Sequence, residues 1–211
     1  VSVLMQIADH LMHGDEDQVS ELTRQAIERG LPPKDILDAG LIAGMTKVGD
    51  LFKCHEIFLP DVLLAAQAMN AGMAQLRPLL VKEGIPALGK VVLGSAQGDL
   101  HDIGKNLVGV LLKGAGFEVI DLGNDVAPER FVEAAQTHHA PIIGMSALLT
   151  TTMPVMGRVV GLLTERGLTA SIRTIIGGAP VTEKFAREIG ADAYGYDAAN
   201  AVERVKSLVG F

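Results

Sequence analysis

Apolar residues recur at three- and four-residue spacing from Val1 to about Leu80, and strand-like alternation is absent from that stretch. The spacing predicts four helices. The first covers roughly Val3 to Met12 and stops at Gly14, and the second follows the acidic start at Asp15 and Glu16 and ends near Gly30. Pro32 and Pro33 open a third, because proline suits a first helical turn, and Ile36, Leu37, Leu41, Ile42, Met45 and Val48 form its apolar stripe. The fourth runs from Phe58 to Leu80 with Pro60 in its first turn. Leu59, Leu63, Met45, Met69 and Met73 are read as core packing, and this half as a four-helix bundle.

The pattern changes after a short connection holding Gly84, Pro86 and Gly89. Brief β-branched runs now alternate with amphipathic stretches. Strands are predicted at Lys90–Leu93, Glu118–Asp121, Ile142–Met145, Thr174–Ile176 and Ala193–Tyr194. Helices are predicted at Ile103–Gly114, Pro128–His138, Met153–Arg166, Thr182–Ile189 and Ala198–Val209. Such alternation implies a five-stranded parallel sheet with helices on both faces, a Rossmann-like, flavodoxin-like α/β arrangement. The expected domains are residues 1–84 and 89–211. Function in such a sheet sits at the carboxyl ends of the strands, so the loops after Leu93, Asp121, Met145 and Ile176 become the places to search.

Composition removes several classes of function. With 18 Lys+Arg against 25 Asp+Glu in 211 residues the formal charge is −7, the wrong sign for broad neutralisation of nucleic-acid phosphates. Aromatic residues make up 4% of the chain and Trp is absent, which disfavours base-stacking platforms. Cys54 is the single cysteine, so neither an intrachain disulfide nor a multi-cysteine zinc site can form, and a reducing cytoplasm is expected. No run approaches the roughly 18 to 20 apolar residues of a membrane span, and no signal-peptide pattern opens the chain. The first residue is Val1 rather than Met, which leaves room for a short leader.

The loop after the first strand, Gly94 to Asn106, is long for its place and matches neither the phosphate-loop nor the dinucleotide glycine pattern. It carries Asp99 and His101 two residues apart. A carboxylate that accepts one ring N–H leaves the other imidazole nitrogen as a lone-pair donor, suited to a metal or to base catalysis. The residues alone equally allow two solvated loop side chains, with Asp102 capping the next helix. One histidine cannot hold a bare metal ion, since structural sites take about four ligands and catalytic ones about three, so a metal on His101 must arrive inside a cofactor. Cys54, His55 and Glu56 are adjacent and point apart, which argues against a metal site there.

Asp99-Leu100-His101-Asp102-Ile103-Gly104 is an Asp-x-His-x-x-Gly signature. Together with Ser146-Ala147-Leu148 after the third strand and Gly177-Gly178 after the fourth, it resembles the cobalamin-binding domain of methionine synthase. Val48-Gly49-Asp50-Leu51-Phe52 and Ile57-Phe58-Leu59-Pro60 resemble the helical cap that precedes that domain and covers the upper face of the corrin. The pairing of cap and cobalamin domain in a chain this short is similar to the corrinoid methyl-carrier proteins of methyltransferase systems.

The resemblance implies cobalamin or a related corrinoid as cofactor, with His101 as lower axial ligand of cobalt in place of the cofactor's own base. It also implies that Asp99 hydrogen-bonds the far nitrogen of His101 and that Thr152 completes a relay, keeping the hydroxyl of the family's serine and adding a methyl. Gly98, Leu100, Asp102, Ile103 and Gly104 would line the cofactor. Ser146, Leu148 and Thr150 would contact its nucleotide tail, while Gly177 and Gly178 would offer a wall free of side chains. For Gly104 the open choice is close approach by the nucleotide or helix packing. Phe58, Leu59 and Leu63 are the candidates to lie over the upper face; Phe58 is the one expected there, and Leu59 and Leu63 are read rather as core.

In the family the cobalt cycles between Co(I) and methyl-Co(III), and the relay couples protonation to that cycle. The expected role is a carrier with no reaction of its own, loaded by a substrate:corrinoid methyltransferase. It would be unloaded by a second methyltransferase that passes the methyl to tetrahydrofolate or to a thiol such as coenzyme M, with a reductive activase in support. Neither nucleic acid nor membrane is an expected partner. The segment Lys82–Leu88 is the expected hinge. The alternative is a cobalamin-binding sensor module separated from its DNA-binding segment.

Overall fold

A computed structural model describes residues 2–210. They fall into two units, one of residues up to Ala87 together with Gly114–Gly116, the other of Leu88–Lys113 and Phe117 onward.

The first unit is helical. α1 (Val3–Met12) begins where the Ser2 hydroxyl accepts the Met5 N–H, and α2 (Glu16–Glu28) begins where the Asp15 carboxylate accepts that of Gln18. Each cap satisfies a backbone donor that the first helical turn leaves unpaired. Next comes one continuous helix from Pro33 to Lys53: a single turn α3 (Pro33–Asp35), a π-helical stretch Ile36–Ile42, and α4 (Ala43–Lys53). The predicted stripe faces inward at Ile36, Leu41, Met45 and Val48, joined by Gly40 and Gly44. Both glycines lie against α1, and a Cβ on Gly44 would stand 2.9 Å from the Ala8 carbonyl oxygen. α5 (Leu59–Lys82) buries Val62, Ala65, Ala68, Met69, Gly72, Leu76 and Leu80. That face leaves Leu63 and Leu64 outside it, 46% and 49% exposed, which corrects the reading of Leu63 as core. Leu63 falls about 100° beyond Val62, itself at the edge of the buried face, and so points away from Ala65, Met69 and Leu76.

The second unit is a parallel sheet of β1 (Lys90–Ser95), β2 (Glu118–Asp121), β3 (Ile142–Ser146), β4 (Arg173–Gly177) and β5 (Ala193–Gly195), in the order β2-β1-β3-β4-β5. The central strands read as apolar runs because both their faces are covered. α7 (Pro128–His138), α8 (Pro154–Glu165) and α9 (Glu183–Ile189) close one face over Val92, Ile143, Met145 and Ile176, with Phe131, Met156 and Leu163 as the largest buried contributors. α6 (Ile103–Gly114) and α10 (Ala198–Leu208) complete the unit. Burying a side chain such as Leu163 contributes about 1.5 to 3 kcal/mol. β1, β3, β4 and β5 run one or two residues past their predicted carboxyl ends, and parallel register carries Ser95 opposite Ser146 and Ser146 opposite Gly177. Those added residues form the floor of the site.

Candidate functional site

β1 and β3 are neighbours in the sheet although β2 comes between them in sequence, so the chain leaves their carboxyl ends in opposite directions. A crevice at such a reversal is where open α/β sheets take ligands. The loop from Ala96 to Asp102 forms one side of it and the loop from Ala147 to Met153 the other.

Asp99 is fully buried between these loops. Its Oδ1 accepts the His101 ring Nδ1 at 2.8 Å and the His101 backbone N–H at 3.1 Å. Its Oδ2 accepts the N–H groups of Leu148 at 2.6 Å and Leu149 at 3.2 Å and the Thr152 hydroxyl at 3.0 Å. Burial pushes the carboxyl up, but the Leu148 N–H, both His101 donors and the Thr152 hydroxyl outweigh it and hold Asp99 well below the usual carboxylate range. The carboxylate is therefore ionised and fixes Nδ1 as the donor nitrogen, which leaves the lone pair on Nε2. The imidazole is 54% exposed over this buried anchor. The threonine methyl faces Gly98, where a Cβ would stand 3.4 Å from Thr152 Cγ2, an ordinary contact distance.

Around His101 the unit exposes Leu100 (70%), Ile103 (72%), Leu148 and Leu149, an unusual grouping for loop and helix-start residues. Gly104 is exposed, and a Cβ there would meet nothing within 4 Å. Helix packing therefore does not require glycine at 104. Gly178 differs. At φ 126° its added Cβ would stand 1.9 Å from the Ala147 carbonyl oxygen, and one on Gly177 would stand 2.9 Å from that of Gly195. The protein's own backbone thus demands both glycines. Ser146 ends β3, with its carbonyl accepting the Ala96 N–H at 2.9 Å, and Thr150 is exposed in the following turn. The Asp102 carbonyl accepts the Asn106 N–H at the start of α6. Phe58, in the helical unit, is 66% exposed, and its N–H is held at 2.8 Å by the Asp61 carboxylate.

Several participants carry no local sequence signal. The Ser95 hydroxyl, at the end of β1, donates to the His101 carbonyl at 2.7 Å. Lys105, buried beside the signature, donates from Nζ to both Asp121 oxygens at 2.7 and 2.8 Å and to Asn106 Oδ1 at 2.6 Å. Burial raises the Asp121 carboxyl, but Lys105 and the Gly123 N–H bring it below its ordinary value. Lys105 directly follows the signature, which is the one hint available.

Among the described residues no group of three or more His, Cys, Asp or Glu side chains is gathered for a bare metal ion. One imidazole nitrogen with an apolar rim and open space at Gly104 fits a metal that arrives in a large, partly apolar ring. No helix among the described residues is long and apolar enough to cross a membrane.

Comparison with known proteins identifies the family. Residues 89–205 and residues 3–77 each match a family model described as a B12 binding domain. A corrinoid protein of Desulfitobacterium hafniense is 42% identical over 213 residues, covering 100% of this chain and 99% of its own. Trimethylamine corrinoid protein 2 of Methanosarcina acetivorans is 42% identical over 98% of this chain and 96% of its own. Among solved structures, a chain of the methanol:cobalamin methyltransferase complex of Methanosarcina barkeri superposes with TM-score 0.88 at 35% identity, covering 99% of this chain and 80% of that one. With a cobalamin-domain match in each half and relatives of this similarity along its full length, the chain belongs to the corrinoid proteins of methyltransferase systems.

Proposed function

We propose that this protein is a methyl carrier that receives a methyl group from a substrate-specific methyltransferase and yields it to a second one, which passes it to tetrahydrofolate or to a thiol such as coenzyme M. The observation that carries the reading is the half-exposed His101 ring with Nδ1 tied to the buried, ionised Asp99, which would leave Nε2 to hold the cobalt of a bound corrinoid. Support for the methyltransferase setting comes from relatives named for trimethylamine and dimethylamine and from the methanol:cobalamin methyltransferase complex. A corrinoid bound here supplies a cobalt centre that accepts and releases the methyl group.

The chain's own residues do the rest. Asp99 fixes the tautomer and direction of the imidazole, and its negative charge strengthens nitrogen donation. Thr152 and the Leu148 and Leu149 N–H groups hold Asp99 in place. Leu100, Ile103 and Leu148 supply apolar contact, Gly104 leaves space, and Ser146, Thr150, Gly177 and Gly178 face the nucleotide end.

Anaerobic reconstitution with hydroxocobalamin tests the reading. After desalting, the protein retains corrinoid, and the nitrogen splitting in its Co(II) electron paramagnetic spectrum changes when the protein's histidines are labelled with 15N, a change that His101→Ala abolishes. Methyl transfer from methanol or a methylamine then requires both the loaded carrier and a methyltransferase. A colourless desalted protein, or splitting that does not respond to the histidine label, overturns it.

A further inference from the structure

Three consecutive carbonyl oxygens of the His101 loop are each held by a donor from outside that loop. The Asp125 N–H donates to the Asp99 carbonyl at 3.0 Å, Asn124 Nδ2 to the Leu100 carbonyl at 3.2 Å, and the Ser95 hydroxyl to the His101 carbonyl at 2.7 Å. Two of the three donors belong to the connection between β2 and α7, a segment to which neither the signature nor the predicted cofactor contacts extend. The same connection continues β1 by an isolated bridge between Ala96 and Val126.

Asp125 makes a second contact. The Asp99 N–H closes a turn onto the Ala96 carbonyl at 2.9 Å, with Gly98 at φ 85° in its third position. Such a turn directs the N–H of Gly98 outward, and that N–H donates to Asp125 Oδ1 at 2.7 Å. Asp125 thus binds the second half of the turn twice, its carboxylate accepting the Gly98 N–H and its own N–H donating to the Asp99 carbonyl. Reaching both requires the left-handed backbone seen there, φ 53°, which most side chains resist and Asp and Asn tolerate.

We propose that Asp125, assisted by Asn124, is a positioning residue that pre-sets the His101 loop before any cofactor arrives. The proposal builds on His101 as the cobalt ligand. A loop whose carbonyls are already paired loses little freedom on binding, and its imidazole keeps one direction, so the clamp governs how completely His101 engages the metal rather than whether the ring enters.

Two substitutions separate the carboxylate from the backbone strain. Asp125→Gly keeps φ accessible and removes the acceptor, whereas Asp125→Asn keeps both. In the full chain without cofactor, amide hydrogen exchange at Gly98 and His101 should rise about tenfold or more in Asp125→Gly. After loading with cob(II)alamin, the fraction of the spectrum showing imidazole-nitrogen splitting should fall in Asp125→Gly at unchanged total corrinoid. Asp125→Asn should restore both readings. Should Asp125→Gly fail to fold, Asn124→Ala, which removes one carbonyl contact, is expected to shift both readings in the same direction by less. Wild-type values of exchange and splitting in the folded variants overturn the clamp. Absent splitting in the wild-type protein instead defeats the axial-ligand reading, and the cofactor-free exchange then still decides whether Asp125 orders the loop.

Discussion

Thr152 Oγ1 stands 3.0 Å from Asp99 Oδ2 and 2.8 Å from the Leu149 carbonyl oxygen, so one hydroxyl proton faces two acceptors. The ionised carboxylate is the stronger of the two. Thr152→Val keeps the volume and loses the donor, and it should cost about 1 to 2 kcal/mol in the cofactor-free protein, with Thr152→Ser costing less. Urea denaturation of the two variants checks this. Equal stabilities would mean that the hydroxyl adds nothing.

Asp99 predicts a pH dependence of definite sign. Its carboxyl is held below the ordinary value of 3.8 in the folded protein, so the unfolded chain takes up the proton first as pH falls. The stabilisation is complete above the unfolded value and drains away as pH drops through it toward the depressed folded one. Asp99→Asn presents an NH2 group where only acceptors suit the surrounding donors, and it should lose about 3 kcal/mol at neutral pH. Urea midpoints measured between about pH 3 and pH 7 should converge for wild type and variant toward the acid end. A constant gap would contradict the assignment.

The Lys105–Asp121 pair predicts unequal costs for its two halves. The Lys105 side chain is 1% exposed and that of Asp121 is 44% exposed. Asp121→Ala strands a buried ammonium and should cost about 3 kcal/mol or more, whereas Lys105→Met leaves a carboxylate that water can reach and should cost about half as much. Thermal or chemical unfolding of both settles the order.

Two glycines of the predicted site should respond in opposite ways to alanine. Gly178→Ala meets backbone at 1.9 Å and should destabilise by about 4 kcal/mol or more. Gly104→Ala meets nothing, lies in the first turn of α6, and should raise the stability of the cofactor-free protein by up to about 1 kcal/mol. It should nonetheless weaken corrinoid uptake, read by retention after desalting. Unaltered retention would remove Gly104 from the cofactor contacts.

Much of this was legible in the chain because parallel strands buried on both sides read as short aliphatic runs, as at Val91 to Leu93 and Ile142 to Met145. Asp99 and His101 were legible because two residues of loop suffice to join a carboxylate and an imidazole. The Asp125 clamp was not: the contact between Gly98 and Asp125 depends on β1–β2 register and on a left-handed residue, neither of which leaves a period in the sequence. Leu63 misled because an apolar residue next to Val62 reads as part of the same stripe, although the buried face runs the other way round the helix, through Ala65, Met69 and Leu76. The π-helical turn at Ile36–Ile42 was equally invisible, since its flanking apolar positions also satisfy an ordinary helix.

Asp99 and its hydroxyl partner Thr152 are 53 residues apart, joined only once β3 has docked beside β1. A nascent chain that has emerged through His101 alone therefore lacks Thr152 and the Leu148 and Leu149 N–H groups, and Asp99 gains its full set of donors only after the third strand is made. The order of synthesis thus supplies the imidazole first and finishes its anchor about fifty residues later.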